Sequence, residues 1–149
     1  MFLTKFLIKF AHQFKIIFMT NSFNSENGET SDNLDLPENR RYPLPDFTYL
    51  NEISAGDKTF IKEIITYFLE SGPEMIKTMK ESSVSGDHEK LRFTAHKLLP
   101  QLTFVGILSA IPDVERIEKG AKLGDDVSAL IDRTINIINC GMDDLKKMV

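Results

Sequence analysis

His96 is the residue whose type and setting could do chemistry. Around it the chain reads Glu89, Leu91, Arg92, Phe93, Ala95, His96, Lys97, Leu98, Leu99, Pro100, Leu102, Thr103 and Val105. At 100° per residue, Leu91, Ala95, Leu98, Leu102 and Val105 gather into one apolar stripe. His96 falls about 140° from the centre of that stripe. The spacing therefore predicts an imidazole on the solvent side of a helix over 88–106. Glu89, Arg92, Phe93, Pro100 and Thr103 share its face, with Leu99 at the margin. A neutral imidazole is a nitrogen nucleophile near physiological pH. Arg92, one turn back, and Lys97, next in sequence, supply positive charge that balances a phosphoryl group. Phe93, Leu99 and Pro100 place apolar surface on a face the core does not need, as docking surfaces do. With Thr103 they are the candidate docking residues.

Other chemistries find little to work with. Cys140 is the one cysteine, so there is no disulfide framework and no Cys-rich zinc site. Three histidines (His12, His88, His96) are too few for a multi-His metal centre. No Gly-rich phosphate loop or nucleotide motif is present, and no carboxylate pair shares a face with His96, so an autonomous enzyme is not expected. The 149 residues carry 18 Lys+Arg against 22 Asp+Glu, a net charge of −4. That balance argues against a generic nucleic-acid binder, which needs cations to neutralise phosphates. Cysteine usage and the absence of a secretory signal point to a cytoplasmic chain.

The elements that position His96 follow from the apolar pattern. Residues 1–19 are a basic amphipathic segment, with Leu3, Leu7, Phe10, Phe14 and Ile17 on one face and Lys5, Lys9 and His12 opposite. The lysines exclude a transmembrane span. The segment reads either as an extension ahead of a start at Met19 or as a helix lying on an anionic membrane. Residues 20–45 are polar and lack the apolar side chains to repay ordering, so a flexible leader is expected. Residues 46–149 read as helices throughout. Asp46 caps a short helix over 47–54, and Asp57 caps the next, over 58–71. Gly72-Pro73 then interrupts, with a separate helix over 73–83. Asp87 caps the helix that carries His96. Ser109 caps a helix over 110–121, with Pro112 in its first turn. Asp125 caps the last, with Val127, Leu130, Ile131, Thr134, Ile138, Leu145 and Met148 inward. Cys140 is expected in the core, and Glu118 pairs with Lys122 four residues on. Short joints between amphipathic helices predict an all-α fold, an antiparallel four-helix bundle with a short extra N-terminal helix.

Ala95-His96-Lys97-Leu98, then Gly106 and Ile117-Glu118, resemble the histidine-containing phosphotransfer (HPt) family. So do Tyr49-Leu50, Ser54-Ala55-Gly56-Asp57 before Phe60-Ile61, and Gly86-Asp87 ahead of the His helix. The resemblance covers about 46–149. It implies a four-helix bundle that carries phosphate between receiver domains in a multistep phosphorelay, with His96 as the phospho-acceptor. It implies response-regulator receivers and hybrid histidine kinases as partners. It also implies no cofactor on this chain, since the receiver brings the magnesium. A monomer is expected. One departure stands out. Members commonly have Lys three residues after the histidine and Gly four after, where this chain has Leu99 and Pro100. The missing lysine removes a phosphate-balancing charge that Lys97 or Arg92 must replace. Pro100 has no N–H for the His96 carbonyl, which predicts a bend or loosened turn there. The same departure favours the alternative, an HPt-like module that binds a receiver without accepting phosphate.

Overall fold

Every regular element among the described residues is helical. The computed structural model describes residues 41–149. The amphipathic segment 1–19 and the leader through residue 40 lie outside the described residues. Helix α1 spans Thr48–Ser54, α2 Lys58–Ser85, α3 His88–Val105, α4 Ile111–Leu123 and α5 Ser128–Lys146. A 3₁₀ turn, Leu108–Ala110, joins α3 to α4. Helix α3 packs against α2 and α4, α5 packs against α4, and α5 also returns to α2. Leu98 and Leu102 of α3, Ile117 of α4 and Ile138 of α5 are wholly buried between them. No described helix is long and apolar enough to cross a membrane.

Side chains cap at two of the predicted places, and at α1 the N-cap is Phe47, with Asp46 one residue ahead of it. Asp57 Oδ1 accepts from the N–H groups of Thr59 (2.9 Å) and Phe60 (3.2 Å), and Asp87 Oδ1 accepts from Lys90 N–H (3.0 Å). Asp46 Oδ1 accepts from Thr48 N–H at 2.9 Å. That backbone hydrogen bond holds the Asp46 carboxyl below its ordinary range, against a small opposing effect of burial. The stabilisation is therefore present at neutral pH and fades as pH falls through the lowered value.

Two other caps differ from the prediction. Helix α4 begins through the 3₁₀ turn and has no side-chain cap at its start, so Ser109 does not cap it. Helix α5 begins at Ser128, whose N–H bonds Asp126 Oδ1 at 3.0 Å. Asp125 lies too early, because its own N–H is spent on the Gly120 carbonyl (2.9 Å) in the turn that ends α4.

The predicted break at Gly72-Pro73 is also corrected. Helix α2 runs unbroken for 28 residues with Pro73 inside it. Its buried stripe of Ile65, Phe68, Gly72 and Met79 keeps helical phase through the proline, while Pro73 itself is exposed. Burial of both halves against one core outweighs a proline cost of about 3 kcal/mol. Two inward assignments fail at the far end. Cys140 and Met148 are exposed, each on the outer side of α5's buried Ile138, Gly141 and Leu145 or beyond its last turn.

The end of α3 is tied to the start of the folded region. Gly106 closes α3 with φ +75°, and its carbonyl accepts from Asp46 N–H at 2.9 Å. A Cβ on Gly106 would run into the Asp46 backbone. Gly86, which closes α2 with φ +72°, has open space around it instead. Gly86→Ala is therefore expected to cost about 1 kcal/mol, for the left-handed backbone alone. Gly106→Ala should cost about 3 kcal/mol or more, because backbone must also move. Urea unfolding midpoints of the two variants check this. Equal losses would mean that the Asp46 junction is not what demands glycine.

Candidate functional site

Three features of the sequence bring His96 to its place. The apolar stripe of α3 turns Ala95 and Leu98 inward and leaves His96 at the edge. Gly106 and the 3₁₀ turn reverse the chain. Ile117 then seats α4 on the core, so its neighbour Glu118 comes alongside α3. The result is a hydrogen bond between His96 Nδ1 and Glu118 Oε1 at 2.8 Å. A carboxylate only accepts, so Nδ1–H donates, and in the neutral ring the lone pair falls to Nε2.

This corrects two expectations. The imidazole does not simply project to solvent: its side chain is 39% exposed, and Glu118 is 25% exposed. Glu118 turns to His96 of the neighbouring helix, not to Lys122 of its own, because it borders the buried stripe of Val114, Ile117 and Ala121 that faces the core. At a border position a carboxylate meets the adjacent helix rather than open water.

The remaining predicted residues sort by exposure. Phe93 is 57% exposed and one turn before His96. Lys97 Nζ lies over the Phe93 ring, 5.1 Å from its centroid. Such a cation–π contact is worth about 0.5–1 kcal/mol at an exposed site. Lys97 is thus drawn back along α3. Arg92 is half-buried on the same flank. Leu99, Pro100 and Thr103 are half-buried as well, so Phe93 is the apolar group that stands proud of this face. Helix α3 continues through Pro100, which has no N–H for the His96 carbonyl. In that region Thr103 Oγ1 donates to the Leu99 carbonyl at 3.1 Å. His88, the first residue of α3, is exposed and more than two turns from His96.

His96 and Glu118 meet on the flank where α3 lies beside α4. Two hollows, one along α2 beside Tyr67 and one where Val84, His88 and Val127 meet, both exclude His96. Among the described residues no group of three or more His, Cys, Asp or Glu side chains is placed to hold a metal ion. A nucleophilic imidazole, with one nitrogen held by a carboxylate and an apolar shoulder beside it, can take part in group transfer with a partner that brings the rest. No protein-family model matches the chain, and neither a curated protein nor a solved structure matches it at a significant level.

The division between surface and core is testable. Leu98→Ala, at a position with no exposed area, should cost 2–5 kcal/mol of stability, roughly the range for such truncations. Phe93→Ala should cost about 1 kcal/mol or less, since it removes mainly exposed surface and the Lys97 contact. Urea denaturation measures both. Comparable losses would place Phe93 in the core and remove it from any docking role.

Proposed function

We propose that this chain is a phosphorelay carrier: a four-helix bundle of the HPt type, formed by α2 to α5 with α1 as a short extra N-terminal helix. It accepts a phosphoryl group on His96 from the aspartate of a response-regulator receiver domain and passes it to another receiver. The single observation that carries the reading is the half-exposed imidazole in mid-helix whose Nδ1–H is held by Glu118. Held so, the neutral ring carries its lone pair on Nε2. In transfer, Nε2 forms the new N–P bond while the P–O bond to the receiver aspartate breaks. The leaving electrons go to the aspartate carboxylate. The ring becomes cationic and keeps its proton on Nδ1, hydrogen-bonded to Glu118, whose charge stabilises it. Transfer of this kind needs positioning and charge balance more than covalent machinery.

The receiver brings the magnesium and acidic pocket in such an exchange, so this chain works as a carrier without kinase activity or cofactor of its own. Receiver domains and hybrid histidine kinases are its partners, met as a cytoplasmic monomer. Phe93 is the apolar centre of the docking face, with Arg92, Lys97, Leu99, Pro100 and Thr103 around it. Lys97 and Arg92 supply the charge that position 99 lacks. One observation favours a second reading, a module that binds a receiver without phosphorylation. Leu99 and Pro100 fill the turn after His96 with half-buried apolar groups, and Lys97 is engaged with Phe93.

Phosphoryl transfer from a phosphorylated receiver domain to the full chain separates the two. Acid-labile, alkali-stable phosphate should appear on the wild type and not on His96→Gln. Stable receiver binding with no transfer, across a panel of receivers, would establish the binding module instead.

A further inference from the structure

The Nδ1–Glu118 contact has a consequence after phosphate arrives. We infer that Glu118 keeps the phosphorylated His96 ring protonated, which makes it a short-lived donor rather than a phosphate store. The inference rests on the reading of His96 as phospho-acceptor. It concerns the lifetime of the phosphorylated form, which that reading leaves open.

A phosphoryl group on Nε2 leaves Nδ1 as the nitrogen that gains or loses a proton. With Nδ1–H present, cleavage of the P–N bond returns the electron pair to Nε2 and releases a neutral imidazole. Without that proton the leaving group is an imidazolate, unless a proton is delivered at the same time. The protonated ring is therefore the better donor, to water or to a receiver carboxylate. A carboxylate 2.8 Å from Nδ1 favours the charged ring and accepts its proton's hydrogen bond. Loss of the proton would set the Nδ1 lone pair against a carboxylate oxygen.

Glu118 is hydrogen-bonded directly to this ring. Along α3, the charged neighbours of His96 are Arg92 and Lys97, both cations that oppose the effect, and Glu89 lies two turns back. On α4, Glu115, Lys119 and Lys122 flank Glu118 at exposed positions. Helix α2, which packs along α3, carries Lys62, Glu63, Glu70, Glu74, Lys77, Lys80 and Glu81 at exposed positions, and its Ser71 hydrogen-bonds Gln101, about 140° around α3 from His96. Helix α1 meets α3 through Tyr49 against Phe104, two turns away. The 3₁₀ turn carries no charged residue. Glu118 is the positioning residue of this step. It acts through the ring and does not touch the phosphoryl group.

The test phosphorylates the full-length protein chemically, with the small donor phosphoramidate. The decay of phosphohistidine is then followed from pH 5 to 9. Glu118→Gln keeps an oxygen acceptor in place and removes the charge. Glu118→Asp restores a carboxylate, and far-UV circular dichroism confirms that each variant is helical. The wild type should hold its fast decay to higher pH than Glu118→Gln. The midpoint should differ by about one unit, and the decay rate by roughly tenfold on the alkaline side. Glu118→Asp should recover part of the difference. Superimposed profiles would overturn the inference, as would a Glu118→Asp profile identical to that of Glu118→Gln. Failure of phosphoramidate to label His96 would also overturn it. If phosphoramidate labels His96 and no receiver does, the carrier reading fails while the role of Glu118 stands.

Discussion

The hydrogen bond between His96 and Glu118 depends on one constraint, the close lengthwise packing of α3 on α4. His96 stands ten residues before Gly106 and Glu118 twelve after it. The chain must turn back sharply between them for the two side chains to meet. Gly106 permits that turn with a backbone conformation other residues resist. Asp46 fastens the turn from outside through its N–H. Leu98, Leu102, Val114 and Ile117 then set the register by burial. A change anywhere in this chain of causes would show itself at the imidazole.

Much of the helical order is legible in the sequence because its signals are local. Asp57 and Asp87 are short acceptors beside orphan N–H groups, and both cap as their chemistry suggests. Pro73 was misleading because a proline is a local signal, whereas its cost is met by burial at distant positions. The apolar stripe through Ile65, Phe68, Gly72 and Met79 held the better information. Cys140 departs from its expected place for a similar reason. Small and mildly apolar residues are common in cores, but position 140 lies on the outer side of a helix whose inner side is already filled by Ile138, Gly141 and Leu145.

The site was half legible. A helix wheel separates His96 from the core stripe, and Phe93 and Lys97 follow by spacing alone. Glu118 could not be paired with His96 in this way, because their meeting is a tertiary fact. The available signal was subtle: an acidic residue at the margin of the stripe Val114, Ile117, Ala121, where a side chain neither enters the core nor reaches open water. Charged residues at such margins find partners on the next helix, and pairing rules within one helix miss them. The contact of Lys97 with Phe93 obeys those rules, as residues four apart on one face.

The connectivity also bears on how the chain folds. Helices α2, α3, α4 and α5 each pack on the next in sequence, across short joints. Such contacts close small loops, cost little chain entropy and form early. The packing of α5 on α2 is different, since it joins the first long helix to the last. It carries the largest loop-closure cost and belongs late in folding. The α3–α4 pair that holds His96 and Glu118 is a local contact whose turn is fastened by the distant Asp46 N–H. The helix pairing can therefore form before α5 closes on α2, and the Asp46 bond then fixes the turn that aligns His96 with Glu118.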